Sequence, residues 1–275
     1  LLSTTSMNSI DNNSILVSSN GGIYMVNTNI LKFSNYTDNL EYIDINSISM
    51  HNDQFWLAGN DGNIQILDRS LNLDYIIDYT DFSVIEKIVF YGDYAFAIGA
   101  DSDGEDVLIQ YSADDTPSYL NYVTVNNLLD INSECNPCDE TIYDIYISDD
   151  EIKLATSNGL YIADLSSYNH NLPSNVLDWN LSEYPGDVLL ASDNFYWIKV
   201  NEQMYVYSDE NNFLFSYPIL NLDIIDADLY DDKLYSLFSN ILYVSKIDGS
   251  ELQTFSLPDY INTEFKDLLL IDDYI

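Results

Sequence analysis

The acidic hexapeptide at residues 101–106, Asp-Ser-Asp-Gly-Glu-Asp, has the residue types of a calcium site. Asp101, Asp103 and Asp106 place carboxylates at i, i+2 and i+5 around a glycine, and converging carboxylate oxygens are the ligands that calcium prefers. The segment is too short for an EF-hand and lacks the later bidentate glutamate. Two interpretations follow: calcium bound by Asp101, Asp103 and Asp106, or an ordinary acidic hairpin turn.

Cys135 and Cys138 form a Cys-Asn-Pro-Cys motif and are the two cysteines of the chain. A redox motif of this spacing needs a helix start or basic neighbours to lower the thiol pKa, whereas segment 134–140 holds three acidic residues. A zinc site would need two more ligands, and His51 and His170 are remote in sequence. The pattern favours a small-loop disulfide formed in an oxidising compartment, with zinc or free thiols as alternatives.

Aspartates also recur at short polar turns spaced roughly 40 residues apart. If the strand before each turn lines a central channel, these carboxylates surround one mouth of it and attract a cation or a basic peptide. The alternative is that aspartate simply suits turns. The residues concerned are Asp53, Asp93, Asp149, Asp150, Asp193, Asp231, Asp232, Asp272 and Asp273.

Recognisable catalytic motifs are missing from the sequence. It contains no Gly-x-Ser-x-Gly, no phosphate loop and no His-Glu-x-x-His, and neither histidine lies in a metal or nucleophile motif. We therefore expect no enzymatic activity, no catalytic residue and no cofactor other than the candidate calcium. A glycosidase or lyase site assembled from distant carboxylates is the alternative.

Residues 142–168 show most clearly which elements would position these groups. Apolar residues alternate with others along short segments, the two-residue period of half-buried strands. Turn-forming residues at 149–150 and 157–159 separate the segments. The pattern predicts an antiparallel meander with strands at 143–148, 152–156 and 160–164 and a fourth near 175–181.

The same pattern recurs along the chain, with seven first hairpin turns about 40 residues apart except for one longer interval. This spacing matches the roughly 40–45 residues of a four-stranded propeller blade. The sequence therefore predicts an all-β fold, a β-propeller of four-stranded antiparallel blades, with six complete blades and the start of a seventh in one incomplete domain, 1–275. The predicted blades are 4–37, 46–80, 86–125, 142–181, 187–218, 225–257 and 266–275, the last partial.

A partial seventh blade would leave an unpaired edge, which propellers avoid by closing the ring. We therefore expect the natural polypeptide to continue through the rest of that blade and into further domains. The alternative is that residues 265–275 close a six-bladed ring, although residues 4–11 already have the pattern of blade one's own inner strand.

The charge composition limits the possible partners. There are 46 Asp and Glu against 8 Lys and Arg, a formal charge of -38, yet 47% of residues are hydrophobic, which favours a folded chain over a disordered one. The few basic residues are scattered and cannot build a groove for nucleic-acid phosphates. No apolar run approaches the ~20 residues of a membrane helix. We expect no nucleic-acid partner and no direct membrane insertion.

Tyr24, Tyr161, Tyr205 and Tyr243 recur on the predicted third strand of their blades. Aromatic packing between neighbouring blades is the favoured interpretation, and a carbohydrate-stacking surface is the alternative.

Two segments resemble known propeller repeats. GDYAFAIGADSDGEDVLIQYSADDTPSYLNYV, within residues 90–125, resembles the LVIVD-type repeat of prokaryotic cell-surface propellers. IKLATSNGLYIADLSS, at 152–167, is similar to the two-component-regulator type of propeller repeat, which occurs in Bacteroidetes surface proteins, including accessory proteins of the type IX secretion system. The Trp-Asp pattern of WD40 repeats, the kelch double glycine and the sialidase box are missing, which lowers the expectation of those functions.

The resemblance implies an extracellular or cell-surface, non-catalytic propeller that serves as an interaction or assembly module of a larger surface protein. Its expected partners are other surface proteins or further domains of the same polypeptide. One alternative is a carbohydrate-binding or carbohydrate-active propeller with glycans as ligands. Another is the periplasmic sensor propeller of a signalling receptor.

Overall fold

The computed structural model describes residues 4–30, 32–79, 81–125, 141–166, 177–182, 184–220, 222–257 and 266–269. These residues form six sheets, each of four antiparallel strands in sequence order from the inside of the ring outwards. The six complete blades predicted from the sequence are therefore confirmed. Residues 266–269 belong to none of the assigned strands, so the predicted seventh blade stays unconfirmed.

Blades one to three contain the first twelve strands and one short 3-10 helix, Thr37–Asn39. Blade one has β1 (Thr4–Asp11), β2 (Ser14–Ser19), β3 (Gly22–Asn27) and β4 (Lys32–Asn35). Blade two has β5 (Ile45–His51), β6 (Gln54–Gly59), β7 (Ile64–Leu67) and β8 (Leu73–Ile77). Blade three has β9 (Phe82–Tyr91), β10 (Tyr94–Asp101), β11 (Asp106–Ser112) and β12 (Ser118–Thr124).

Blades four to six contain the other twelve described strands. Blade four has β13 (Ile142–Ser148), β14 (Glu151–Thr156), β15 (Gly159–Asp164) and β16 (Asn180–Ser182). Blade five has β17 (Asp187–Ala191), β18 (Phe195–Val200), β19 (Gln203–Ser208) and β20 (Phe213–Leu220). Blade six has β21 (Ile224–Tyr230), β22 (Lys233–Phe238), β23 (Ile241–Lys246) and β24 (Gln253–Ser256).

The tight hairpins between first and second strands depend on residues that tolerate left-handed backbone geometry. Asn52 and Asp53 have φ of 47° and 62°, and Asp231 and Asp232 have φ of 50° and 59°. Two consecutive left-handed residues match the twist of the flanking strands in a two-residue hairpin, and Asn and Asp adopt that geometry at low cost. The turn residues thus set the register of the inner hairpins of blades two and six.

The hydrophobic core lies between blades, with one buried cluster at each junction from blades one and two to blades five and six. Trp56 of blade two, for example, packs in a cluster with Ile85 and Ala97 of blade three. Because both faces of a middle blade are covered, second strands such as β6 and β10 are buried along most of their length. Blade stacking therefore holds the inner strands around the axis.

All six inner strands have an irregular register near their start, where one extra residue interrupts the pairing with the second strand. In blade four, Ile142 pairs with Thr156 and Asp144 with Ala155, so Tyr143 is the extra residue. Such β-bulges bend the strand and redirect side chains. The bulges of the six blades lie at the same end of the ring, and their residues line the central channel there.

Candidate functional site

The central channel encloses a cavity of about 480 Å³ at the end of the ring where the inner strands begin. Its walls come from the bulged starts of all six inner strands and from residues 266 and 267. The charged groups in the wall are Glu86, Lys87, Asp144, Asp223, Asp226, Lys266 and Asp267. The channel is thus the place where ionisable side chains from several blades meet.

Lys87 and Asp144 form an ion pair across the junction of blades three and four. The Lys87 Nζ lies 2.6 Å from Asp144 Oδ1, and the side chains are 39% and 4% exposed. The second carboxylate oxygen, Asp144 Oδ2, accepts a hydrogen bond of 3.1 Å from the backbone N–H of Ala191 in blade five. One nearly buried carboxylate therefore links three consecutive blades.

The surroundings of Lys87 favour its charged form. Burial alone would lower the pKa of this lysine, but the negative charges of Asp144, Asp226 and Asp267, together with the hydrogen bond to Asp144, outweigh burial and raise it. Lys87 is therefore held in the channel wall as a cation.

Asp226 and Asp267 form a second polar contact in the channel wall. The backbone N–H of Leu268 points to both carboxyl groups, 3.1 Å from Asp226 Oδ2 and 2.8 Å from Asp267 Oδ1, so the two groups lie side by side on one donor. Asp267 Oδ2 also accepts a hydrogen bond from the backbone N–H of Met7 in β1. Since Asp226 lies in β21, residues 266–269 join blade six to blade one.

Both carboxyl groups of this pair have a raised pKa. For Asp226 the causes are burial and then the charge and hydrogen bond of Asp267, and the raised pKa lies well above the ordinary aspartate value. For Asp267 burial raises the pKa, while hydrogen bonds from Asp226 and the backbone of Met7 lower it. Burial and the neighbouring carboxyl group therefore favour one proton shared by the pair over ionisation of both groups.

Further side chains make similar contacts between other neighbouring blades. Thr5 Oγ1 donates to the carbonyl of Ile45, and Asn46 Nδ2 donates to the carbonyl of Ile85 at 3.2 Å. Lys199 of blade five pairs with Asp223, which precedes β21 of blade six. We call the complete set the axial belt: it consists of Thr5, Met7, Asn46, Lys87, Asp144, Ala191, Lys199, Asp223, Asp226, Asp267 and Leu268.

The hairpin that carries the calcium prediction folds around one of its own carboxylates. Asp101 Oδ1 accepts hydrogen bonds of 2.9 Å from the backbone N–H groups of Asp103 and Glu105. Asp106 points elsewhere, since its Oδ2 accepts a hydrogen bond of 2.7 Å from the backbone N–H of Ile142. Within the described ranges no three His, Cys, Asp or Glu side chains are grouped to hold a metal ion. The calcium site at Asp101, Asp103 and Asp106 gains no support and stays a prediction.

Other predicted residues have mixed outcomes. Cys135, Cys138 and His170 lie outside the described residues, as do Asp272 and Asp273. The described hairpin-turn aspartates are exposed, and the channel cavity is lined by aspartates of the inner strands and of segment 266–269 instead. Tyr161 and Tyr243 are buried, as the packing interpretation predicts, whereas Tyr24 and Tyr205 are partly exposed.

The outer strands of blades two and three expose apolar side chains, which we call the rim patch. Its five residues are each between 36% and 40% exposed: Leu73, Tyr75, Ile76, Leu120 and Tyr122. Tyr75 Oη donates a hydrogen bond of 3.2 Å to the Asp115 carbonyl of blade three. The ring of Tyr122 meets Phe82 edge-on at 5.2 Å. The patch is thus supported by contacts within and between its two blades.

The sequence reasoning did not identify Lys87, Asp144, Asp226 or Asp267. A signal existed: Lys87, Asp144 and Asp226 each interrupt an apolar stretch, as in Ile-Glu-Lys-Ile at 85–88 and Ile-Tyr-Asp-Ile at 142–145. A charged residue in a strand with both faces covered needs a partner. Aligning the inner strands by their first hairpin turns would have brought these residues to one level.

No family model matches the chain, and no curated protein matches its sequence. Among solved structures, it is similar to the WD40 propeller domain of Doa1, with a TM-score of 0.70 and 9% identity over 99% of this chain and 87% of that one. It is also similar to BamB from Moraxella catarrhalis, with a TM-score of 0.61 and 10% identity over 98% and 80% of the two chains.

A third similar structure is PorZ of Porphyromonas gingivalis, described as an essential bacterial surface component of the type-IX secretion system. The TM-score is 0.65 and the identity 14%, over 100% of this chain and 35% of PorZ. No helix in the described parts of the chain has the length and apolar character needed to cross a membrane. At these identities the likeness shows the fold alone: the chain has a β-propeller fold, and its described residues form six four-stranded blades.

Proposed function

We propose that this propeller is a non-catalytic interaction module of a bacterial surface protein and that it binds a protein partner through the rim patch. The observation that carries the proposal is the set of exposed apolar side chains on the outer strands of blades two and three. Exposed apolar groups gathered on neighbouring elements are typical of interaction sites, and tyrosine is enriched in such surfaces.

The charge of the chain indicates which partner fits. The formal charge is -38, and Asp74, Asp114 and Asp115 lie beside Tyr75 in a groove between the two blades. A partner surface that combines apolar side chains with Lys or Arg would match this region in both respects. An acidic partner would be repelled.

The channel geometry supports the non-catalytic part of the proposal. The paired carboxyls of glycosidases are about 5–5.5 Å apart in retaining enzymes and about 6.5–9.5 Å apart in inverting ones. The carboxyl groups of Asp226 and Asp267 instead accept hydrogen bonds from the backbone N–H groups of Leu268 and Met7, so both are engaged in holding the ring together. Lys87 is likewise held by Asp144.

Export to the cell surface is part of the proposal. It rests on the resemblance of two blades to repeats of prokaryotic surface propellers, and the similarity to the surface component PorZ is in line with it. A high negative charge also suits a milieu rich in salt or calcium, where self-repulsion is screened.

The experiment is site-specific photo-crosslinking on cells that produce the protein. A photoreactive amino acid replaces Tyr75 in one variant and Phe255, an exposed aromatic on the outer strand of blade six, in the control. We expect a discrete, protease-sensitive crosslinked product from position 75 and none from position 255. Equal products from both positions, or none from either, would contradict the role of the rim patch.

Carbohydrate binding by the same tyrosines predicts a different result. The purified protein would bind immobilised glycans, and the Tyr75→Ala and Tyr122→Ala variants would lose that binding. Accessibility to protease on intact cells tests the surface location independently of either ligand.

A further inference from the structure

Residues 266–269 bridge blades six and one through side chains and backbone together. The carboxyl of Asp226 in β21 accepts from the N–H of Leu268, and the carboxylate of Asp267 accepts from the N–H of Met7 in β1. The N–H of Leu268 also lies 2.8 Å from Asp267 Oδ1, so the two carboxyl groups share one donor. The first two contacts cross from one segment to another, and the bridge exists only while the two carboxyl groups stay together.

Two carboxyl groups that share one backbone donor are favoured when one of them is protonated. When both are ionised, the two neighbouring negative charges repel, and neither retains a hydrogen to donate to the other. Other anions in the wall, Asp144, Asp223 and Glu86, add to the unfavourable potential. The facing cations are Lys87, which is paired with Asp144, and Lys266 on the bridging segment itself.

We propose that residues 266–269 are a proton-dependent clasp, which holds blade six to blade one while the Asp226–Asp267 pair keeps one proton and releases them when that proton is lost. The direction of the pH effect follows from the geometry. Burial raises the pKa of both carboxyls, so the folded clasp binds a proton more tightly than the unfolded chain does. Its stabilising contribution is complete below about pH 4, the ordinary aspartate value, and is lost as pH rises through the raised pKa.

Ala191 provides an internal control for this clasp. Its backbone N–H also donates to a channel aspartate, Asp144, at 3.1 Å, the same distance as that from Leu268 to Asp226. The partner of Asp144 is a lysine, whereas the partner of Asp226 is a second carboxyl. Only the Leu268 and Met7 contacts should therefore weaken when a proton leaves.

Hydrogen exchange of single backbone amides, measured by NMR between pH 4 and pH 9, tests the proposal. Protection factors remove the intrinsic pH dependence of exchange. We expect the protection of Met7 and Leu268 to fall with rising pH, by up to about tenfold per unit above the pKa of the pair. The protection of Ala191 should stay constant over the same range.

The Asp226→Asn variant removes the need for a proton, because the amide can donate to Asp267 and accept from Leu268 at any pH. We expect it to keep Met7 and Leu268 protected throughout. Asp223→Asn, which alters a neighbouring acid paired with Lys199, should behave like the wild type. Constant protection of Met7 and Leu268 in the wild type, or wild-type pH dependence in Asp226→Asn, would overturn the clasp. Should Asp226→Asn fail to fold, the comparison of Leu268 with Ala191 in the wild type decides alone.

Discussion

Replacing Lys87 with methionine tests whether the axial belt stabilises the ring. The change keeps much of the side-chain length but leaves Asp144, whose side chain is 4% exposed, as a nearly buried charge. Removing one partner of a fully buried pair costs about 3–5 kcal/mol. Since 39% of the Lys87 side chain is exposed to channel solvent and Asp144 keeps the Ala191 hydrogen bond, we expect a smaller loss of about 2–3 kcal/mol.

Urea unfolding followed by tryptophan fluorescence measures the change in the free energy of unfolding. Arg69→Met is the matched control, because Arg69 pairs with Asp53 at 3.0 Å but the two side chains are 60% and 66% exposed; an exposed pair of this kind contributes little. The Lys87→Met/Asp144→Asn double variant should recover part of the loss, since no unpaired carboxylate remains. If Lys87→Met costs no more than Arg69→Met, the belt does not stabilise the ring and the reasoning is wrong.

Three further predictions follow from individual contacts. Gly62 and Gly104 both have positive φ, but a Cβ added at Gly62 would lie 2.2 Å from the Phe82 carbonyl, whereas one added at Gly104 would meet nothing within 4 Å. We therefore expect Gly62→Ala to lower the free energy of unfolding by about 1–3 kcal/mol more than Gly104→Ala in the same assay. Tyr217→Phe should lose about 1–2 kcal/mol, because Ser236, fully buried, loses its 2.5 Å hydrogen bond to the Tyr217 hydroxyl; an unchanged midpoint would show that Ser236 finds another partner. If calcium binds at residues 101–106, titration calorimetry should give a saturable heat for the wild type that an Asp101→Asn/Asp103→Asn variant lacks. Equal heats for the two proteins would show that the segment is an ordinary hairpin turn.

The fold was predictable because its signals are local. Turn residues such as Asn52–Asp53 and Asp231–Asp232 fix two-residue hairpins through their own backbone preferences. The alternation of apolar residues then predicts the strands on either side, and the first three predicted strands of blade four, 143–148, 152–156 and 160–164, agree with the structure to within one residue. The fourth strand of blade four was predicted less well: it begins at Asn180, near the end of the predicted range of 175–181.

The candidate site was not predictable in the same way because its contacts are long-range. Lys87 and Asp144 are 57 residues apart, and Asp144 and Ala191 are 47 residues apart. The hairpin-turn aspartates repeat visibly in the sequence, but they repeat because aspartate suits the turn geometry. Aligning the first hairpin turns brings Lys87 and the channel aspartates to one level. The bulges that direct these side chains into the channel are visible only in the pairing register.

The aligned bulges also relate segment 266–269 to the inner strands of the blades. Asp144 follows a bulge residue and accepts a hydrogen bond from the backbone N–H of Ala191 in the next blade. Asp226 has the equivalent position in blade six and accepts a hydrogen bond from the backbone N–H of Leu268. Asp267 in turn accepts the N–H of Met7 in blade one. Leu268 therefore donates its backbone N–H to the preceding aspartate, as Ala191 of blade five does. Asp267 accepts a backbone N–H from the blade that follows, as Asp144 does. Segment 266–269 thus makes the contacts of an inner strand without belonging to any of the six described blades. Because Asp267 lies beside another aspartate whereas Asp144 lies beside Lys87, we expect the contact of this segment, and not that of Asp144, to depend on a proton.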